Sequence, residues 1–461
     1  MRSRVFEVPE APGVPDALGR LCGRHAVVAL DSAAGSPRDW SIVAFDPLAH
    51  LRLLETIADL RRVLEVLESE PGDAIPGPFH GGFIGALAYD LGIAGERADL
   101  TSDDPWHSPR IVGGVYVDFL VRDERAGRAW LVLGEGDLDG RRPLIERRAE
   151  ILSALLSPPP PRARPAPVAA LVRHTSAVEH MRRIEDVRER IAAGDLYQAN
   201  LAHRSTRAVR GHPVDLYLEL RARNPAPYMA YLAWDERTAA RAERFPRGAI
   251  LSASPELFFE FDGSTARTRP IKGTAARASD PRVDAEQAAA LLASGKDRAE
   301  LAMIVDLERN DLGRVARIGS VRAEAFPRLE TYASVHHLTA DVTAELAPGR
   351  DAIDVLLALF PGGSITGAPK IAAMAEIARL EGEGRGFFTG ALGFIDVRGH
   401  AAWNILIRTL IWRPDAGGEV SFHVGGGITW SSDAAAEERE TQAKAAALVA
   451  ALEPSAETRG A

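Results

Sequence analysis

The hydrophobic positions of this 461-residue chain fall into two kinds of pattern. Short apolar runs at 26-AVVALDS-32, 111-IVGGVYVDFLV-121, 129-AWLVLG-134, 249-AILSAS-254, 256-ELFFEF-261 and 420-VSFHVG-425 are rich in β-branched and aromatic residues. Turn residues flank them, so they predict strands. Val178, Met181, Ile184, Val187 and Ile191 recur every three to four positions and predict a helix over 176–195. Ser176 and Glu179 stand at its start with the spacing of a capping box. Longer helical patterns run over 284–310 and 434–452. Strands and helices do not alternate regularly, which argues for an α+β fold over a doubly wound sheet. The prolines at 158–161, then Pro165 and Pro167, suit neither a helix nor a central strand. They predict an extended linker over 156–172, between a region at 1–155 and a longer one at 173–453, with a disordered tail at 454–461. The polar stretch 236–248 reads as an exposed loop.

Composition narrows the function classes. Hydrophobic residues make up 46% and charged residues 26%, as in ordinary globular proteins. Acidic residues outnumber Lys and Arg by 64 to 55, which argues against a nucleic-acid partner. The one cysteine, Cys22, has no internal disulfide partner, which fits a reducing compartment. No apolar run reaches the length of a spanning helix and none near the N-terminus suits a signal peptide. The expectation is a cytoplasmic protein with no membrane partner.

Several residues carry candidate chemistry. In 269-RPIKGTAAR-277 a lysine precedes glycine in a mostly apolar run, and Lys272 could be a surface charge, an anion binder or a nucleophile. The stretch 362-GGSITGAPK-370 has two glycines at phosphate-loop spacing but lacks Gly-Lys-Ser/Thr, and 425-GGGIT-429 lacks the dinucleotide spacing. Both offer turns, or close backbone approach to a ligand. Glu437, Glu440 and Lys444 share one helix face, and Glu300 lies on another helix. Two such helices could hold Mg²⁺ with water and a substrate carboxylate, and equally the face could be solvated with a Glu440–Lys444 pair. Glu256, before an apolar strand, would be desolvated and suited to a general acid, or would be an edge-strand charge. His336 and His337 follow a strand-like run.

Taken together, 252-SASPELFFEFDG-263, 269-RPIKGTAAR-277, 301-LAMIVDLERNDLGRV-315, 332-YASVHHLTADV-342, 359-LFPGGSITGAPKIAAMAEI-377, 389-TGALGFI-395, 405-ILIRT-409 and 424-VGGGITWSSDAAAEERETQAK-444 resemble the chorismate-utilising enzymes. The segments 29-ALDSA-33, 39-DWSIVAFDP-47 and 81-GGFIGALAYDLG-92 resemble the family's N-terminal part. The resemblance implies an anthranilate synthase component I-like fold, two packed, mostly antiparallel β-sheets flanked by helices. It makes 1–155 the N-terminal region and 173–453 the chorismate-binding catalytic region. By the same matching, Mg²⁺ is held by Glu300 and Glu440 with Glu437 nearby. Arg408 binds the enolpyruvyl carboxylate. Gly273, Thr274, Gly425, Gly427 and Lys444 line the site, His337 stands beside the ring, and Glu256 protonates the departing C4 hydroxyl. Phe388 stands where many relatives carry a tyrosine whose hydroxyl reaches a substrate carboxylate.

Two positions separate the family's reactions. Members that add water carry a lysine matching Gln198, and glutamine has no basic nitrogen to activate water. Anthranilate synthases read alanine where this chain has Lys272, whereas aminodeoxychorismate synthases read lysine. The resemblance therefore implies amination of chorismate at C4, in para-aminobenzoate and folate biosynthesis or a specialised pathway, with a neutral Lys272 attacking ring C2 first. Anthranilate formation and a non-catalytic chorismate- or tryptophan-binding subunit are the alternatives. Ammonia is expected from a separate glutamine amidotransferase subunit, since Cys22 lacks that enzyme's nucleophile context. A family tryptophan pocket maps onto 30-LDS-32 and 224-NPAPYM-229, with Ser32, Trp40, Pro225, Tyr228 and Met229 as its residues.

Overall fold

A computed structural model describes residues 2–10, 12–33, 39–48, 54, 56–65, 72–96, 103–135, 142–159, 164–235, 238, 247–332, 335–414 and 418–453. The predicted tail at 454–461, most of the loop at 236–248 and the centre of the proline run lie outside these residues. Among the described residues the architecture is α+β. One sheet has 13 strands, the other nine, and every pairing is antiparallel. Helices cover the outer faces.

Strand alternation builds the layers. In the strand Val28–Asp31, Val28 and Leu30 join Ile84, Ala86, Val112, Leu392 and Phe394 in an apolar layer drawn from both sheets. Ala29 points the other way, into a core shared with the helices Val14–Leu21, Leu144–Leu156 and Pro213–Arg223. The nine-stranded sheet packs its other face against Gly295–Gly313 and Ala352–Leu359, around Leu301, Val305, Leu338 and Leu356. Segments on either side of the proline run contribute strands to both sheets: Val28–Asp31 pairs with Tyr228–Trp234, and Gly82–Leu87 with Ala391–Asp396. The run itself includes two short strands, Ala166–Pro167 and Val172–Arg173, laid on Gln198–Arg210 as an extended strap.

Three local expectations differ from the structure. The run 111–121 is two strands. Ile111–Tyr116 belongs to the smaller sheet and Phe119–Asp123 to the larger one. Asp118 marks the crossing; its buried carboxylate pairs with Arg147 and accepts from the Gly134 amide at 3.1 Å. The helical run 284–310 is also two elements, Pro281–Ala293 and Gly295–Gly313, split where Ser294 caps the second by accepting from the Asp297 amide. Ser176 does cap its helix, Ala177–Ala192, but Glu179 does not close the box, because Arg182 and Arg183 hold its carboxylate. On that helix Val178 is exposed, while His180 takes a buried place beside Ile184 and Val187. As expected, Glu256 stands directly before its apolar strand, Leu257–Phe261, and is buried. No helix among the described residues is long and apolar enough to cross a membrane.

Candidate functional site

Lys272 lies in the strand Ile271–Ala276, paired with Val335–Glu345. The register slips between Ile271 and Thr274, so Lys272 and Gly273 form a bulge. Gly273 has φ +82°, and a Cβ there would lie 2.9 Å from the Asp297 side chain. Glycine therefore permits the bulge, and the bulge re-aims the lysine. Its Nζ donates to the Ser364 carbonyl at 3.2 Å. Burial pushes the Lys272 pKa down from the ordinary lysine value. Glu256, Glu300 and Glu440 oppose that shift, and Lys444 adds to it, so these four charges lie within electrostatic reach.

Glu256 is buried, and its pKa is raised by desolvation. Its Oε1 has no hydrogen-bond partner among the described residues. The Ser364 hydroxyl and the Lys272 charge favour its ionised form without cancelling the burial. An acid poised above the ordinary glutamate range thus faces an amine poised below the ordinary lysine range.

One strand pair further on, Thr274 lies opposite His337, with its Oγ1 2.8 Å from His337 Nδ1. Burial, then the Arg408 charge, pushes His337 down to about 4, so the imidazole is neutral at neutral pH. Arg408 has φ +50° at the turn into the strand Thr409–Arg413. Burial is the one influence on its guanidinium, and no carboxylate among the described residues acts on it. A desolvated guanidinium without an internal anion is a ready partner for a ligand carboxylate.

The helices Gly295–Gly313 and Ala434–Ala451 carry the acidic group. Burial raises Glu300 and Glu437, and each also feels a neighbouring carboxylate, Glu437 for the first and Glu440 for the second. Glu437 accepts from the Ser432 hydroxyl at 2.7 Å. Glu440 pairs with Lys444 at 2.8 Å, and Lys444 Nζ also donates to the Gly425 carbonyl at 2.9 Å. These carboxylates sense one another's charge, and carboxylate oxygens are the donors a hard divalent cation takes alongside water and substrate ligands. Gly425 faces Ala202 across the strand pair, and a Cβ would sit 2.3 Å from the Leu201 carbonyl, so this close strand approach requires glycine. Beside Gly427 lies Gln198, fully buried, with neither amide atom hydrogen-bonded among the described residues.

Phe388 stacks on His423 with ring centroids 4.8 Å apart and lies under the Arg385 guanidinium. Of the pocket assigned to tryptophan, Ser32, Tyr228 and Met229 lie on or beside the paired strands Val28–Asp31 and Tyr228–Trp234. Met229 is in the core, Trp40 packs on Trp130, and Pro225 is exposed. Between them the buried Asp31 takes hydrogen bonds from Tyr217 and Arg221.

Two features were not legible beforehand. Ser364 and Asn200 meet at the lysine, with Asn200 Nδ2 donating to the Ser364 carbonyl at 3.2 Å. The serine stood in a glycine-rich turn that invited a backbone reading. The second is a buried group of His180, His203 and Glu438, whose ligand atoms lie within 4.8 Å of one another. Arg173, His180 and Gln442 already engage both oxygens of Glu438, and burial pushes His203 down to about 3. With Arg173 adding positive charge, the group serves as an ion-pair cluster tying two helices together.

Residues 27–450 match the family described as chorismate binding enzyme. Anthranilate synthase component 1 of Streptomyces coelicolor is 38% identical over 392 residues, 82% of this chain and 74% of that one. Aminodeoxychorismate synthase component 1 of Bacillus subtilis is 34% identical over 454 residues, 94% and 93% of the two chains. The crystal structure of anthranilate synthase component I from Streptococcus pneumoniae superposes with a TM-score of 0.75 at 28% identity, covering 89% of this chain and 92% of that one.

Proposed function

The chain belongs to the chorismate binding enzymes, and from that premise we propose that it is an aminodeoxychorismate synthase component I. In this reading it replaces the C4 hydroxyl of chorismate with an amino group, yielding 4-amino-4-deoxychorismate. Identity alone does not choose between the reactions of its relatives, since 38% to an anthranilate synthase stands beside 34% to an aminodeoxychorismate synthase. The observation that carries the reading is the bulged Lys272, whose pKa is lowered by burial, beside the buried Glu256.

The chemistry follows from those two groups. Neutral Lys272 attacks ring C2, the ring double bonds shift, and the C4–O bond breaks. Glu256 gives its proton to the departing oxygen, which leaves as water. Ammonia then adds at C4, the double bonds shift back, and the lysine leaves C2 as the amine. The covalent adduct divides one hard substitution into two easier ones. Arg408 binds a substrate carboxylate, neutral His337 packs beside the ring held by Thr274, and Gln198 offers no base to activate water. Glu300, Glu440 and Glu437 would hold Mg²⁺, which when bound supplies positive charge for the ring carboxylate. A separate glutamine amidotransferase subunit supplies the ammonia.

The test is incubation with chorismate, Mg²⁺ and ammonium, with product identification and intact-mass analysis. Wild-type protein is expected to release 4-amino-4-deoxychorismate. Lys272→Ala is expected to lose C4 amination by at least about 100-fold, the lower bound for removing a nucleophile or general base worth about 3 kcal/mol. Anthranilate and pyruvate from the wild type would establish the alternative reaction. An unchanged rate and product in Lys272→Ala would remove the adduct from the mechanism.

A further inference from the structure

Ser364 sits in the 3₁₀ turn Gly363–Ile365 and is buried. Its carbonyl accepts from Lys272 Nζ and from Asn200 Nδ2, each at 3.2 Å. The surrounding turn is held at several points. The Thr366 hydroxyl donates to the Gly362 carbonyl at 2.8 Å, Asn200 Nδ2 to the Thr366 carbonyl at 3.1 Å, and Arg385 Nη1 to the Ile365 carbonyl at 3.3 Å. Arg385 is itself fixed by Glu381 at 2.6 Å. The frame therefore sets where the Ser364 side chain stands before any ligand arrives.

Within that frame the Ser364 hydroxyl has no hydrogen-bond partner among the described residues. Leaving a buried hydroxyl unpaired costs about 1–3 kcal/mol. The neighbouring Glu256 Oε1 is also buried and unpartnered. The hydroxyl is near enough to the carboxyl to favour its ionised form, yet it falls outside hydrogen-bond geometry, and both atoms are left without a formed hydrogen bond among the described residues. Two buried polar atoms, side by side and both unsatisfied, leave a place for a third polar atom that engages each of them.

We propose that this third atom is the leaving hydroxyl oxygen of the substrate, and that Ser364 is a catalytic residue whose hydroxyl donates to it. The assignment rests on the C4 amination proposed above and adds a residue to it. As the C4–O bond breaks, its electron pair stays on oxygen. Glu256 delivers a proton to that oxygen, and Ser364 holds it with a hydrogen bond and keeps its own proton. Negative charge develops on this oxygen only as the bond breaks, so the hydrogen bond strengthens toward the transition state. The same residue holds the nucleophile through its carbonyl, so one pinned turn sets the separation between acid, leaving oxygen and lysine.

Ser364→Ala tests the hydroxyl alone, because it keeps the carbonyl that holds Lys272. Its kcat is expected to fall about 10- to 150-fold with a smaller change in KM, the range for one hydrogen bond to a charged group. Ser364→Thr, which keeps a hydroxyl, is expected to recover most of the loss. A second readout does not depend on turnover. Binding of an unreactive ring dicarboxylate is compared by calorimetry with and without its 4-hydroxyl. Wild-type protein is expected to prefer the hydroxylated ligand, and Ser364→Ala to lose that preference. A kcat at the wild-type level in Ser364→Ala, or a preserved preference for the hydroxylated ligand, overturns the assignment. If the wild type makes anthranilate instead, the proposed function fails while the ligand comparison still decides the role of Ser364.

Discussion

Arg408→Met separates binding from stability. In the free protein the Arg408 guanidinium is desolvated, and no carboxylate among the described residues offsets that burial. A substrate carboxylate would supply the missing anion, most naturally through two parallel hydrogen bonds. Hydrogen bonds to charged groups contribute about 1.5–3 kcal/mol each, so losing two costs at least about 3 kcal/mol, or about 100-fold in substrate affinity. The stability effect runs the other way. Removing an uncompensated, partly buried charge relieves its desolvation, so the melting temperature is expected to stay level or rise. Arg408→Lys keeps the charge but loses the planar fork, and its binding defect should lie between wild type and Arg408→Met. Steady-state kinetics, calorimetric binding of an unreactive dicarboxylate and thermal denaturation read the three quantities. A KM within about threefold of wild type, less than about 0.7 kcal/mol, would refute the carboxylate contact. A clear fall in melting temperature would show that the residue supports the fold instead.

Two further predictions follow from the electrostatics. In the proposed reaction the active form has Lys272 neutral and Glu256 protonated, the first with its pKa lowered from 10.5 and the second with its pKa raised from 4.5. The rate should therefore rise and then fall with pH, with both limbs inside that window, and Glu256→Gln should lose the fall at high pH while turning over more slowly. A retained alkaline limb in that variant, in a pH profile of kcat, would assign the fall to another group. For the cation, chelation is expected to stop turnover and Mg²⁺ to restore it, with Glu440→Gln needing at least about tenfold more Mg²⁺, equivalent to about 1.4 kcal/mol. An identical Mg²⁺ titration in wild type and variant would remove Glu440 from the cation site.

Much of the molecule was legible before any coordinates. Strand periodicity and β-branched runs located Val28–Asp31, Gly248–Ser254 and Arg128–Glu135 to within a residue or two. The failures share one cause. The apolar run at 111–121 carries no local signal that its halves enter different sheets, because Asp118 becomes a crossing point only through its distant partner Arg147. Likewise, Val178 fits the helical stripe, yet His180 takes the buried place because Glu438, 258 residues away, binds its ring.

The candidate site divides along the same line. Sequence by itself determined the residue types: a lysine before glycine, glutamates on two helices, an arginine after an apolar strand, and glutamine where a base would activate water. It also determined the family, because long motifs in order carry that information. Only the tertiary structure decided the electrostatic setting of those side chains. The lysine's lowered pKa needs desolvation by groups brought from distant parts of the chain, and the glutamate's raised pKa needs an environment that excludes water. Ser364 gained chemical meaning only when folding left its hydroxyl beside Glu256 with no partner of its own. Identity is a property of one position, whereas desolvation and hydrogen-bond satisfaction belong to all the groups that surround it.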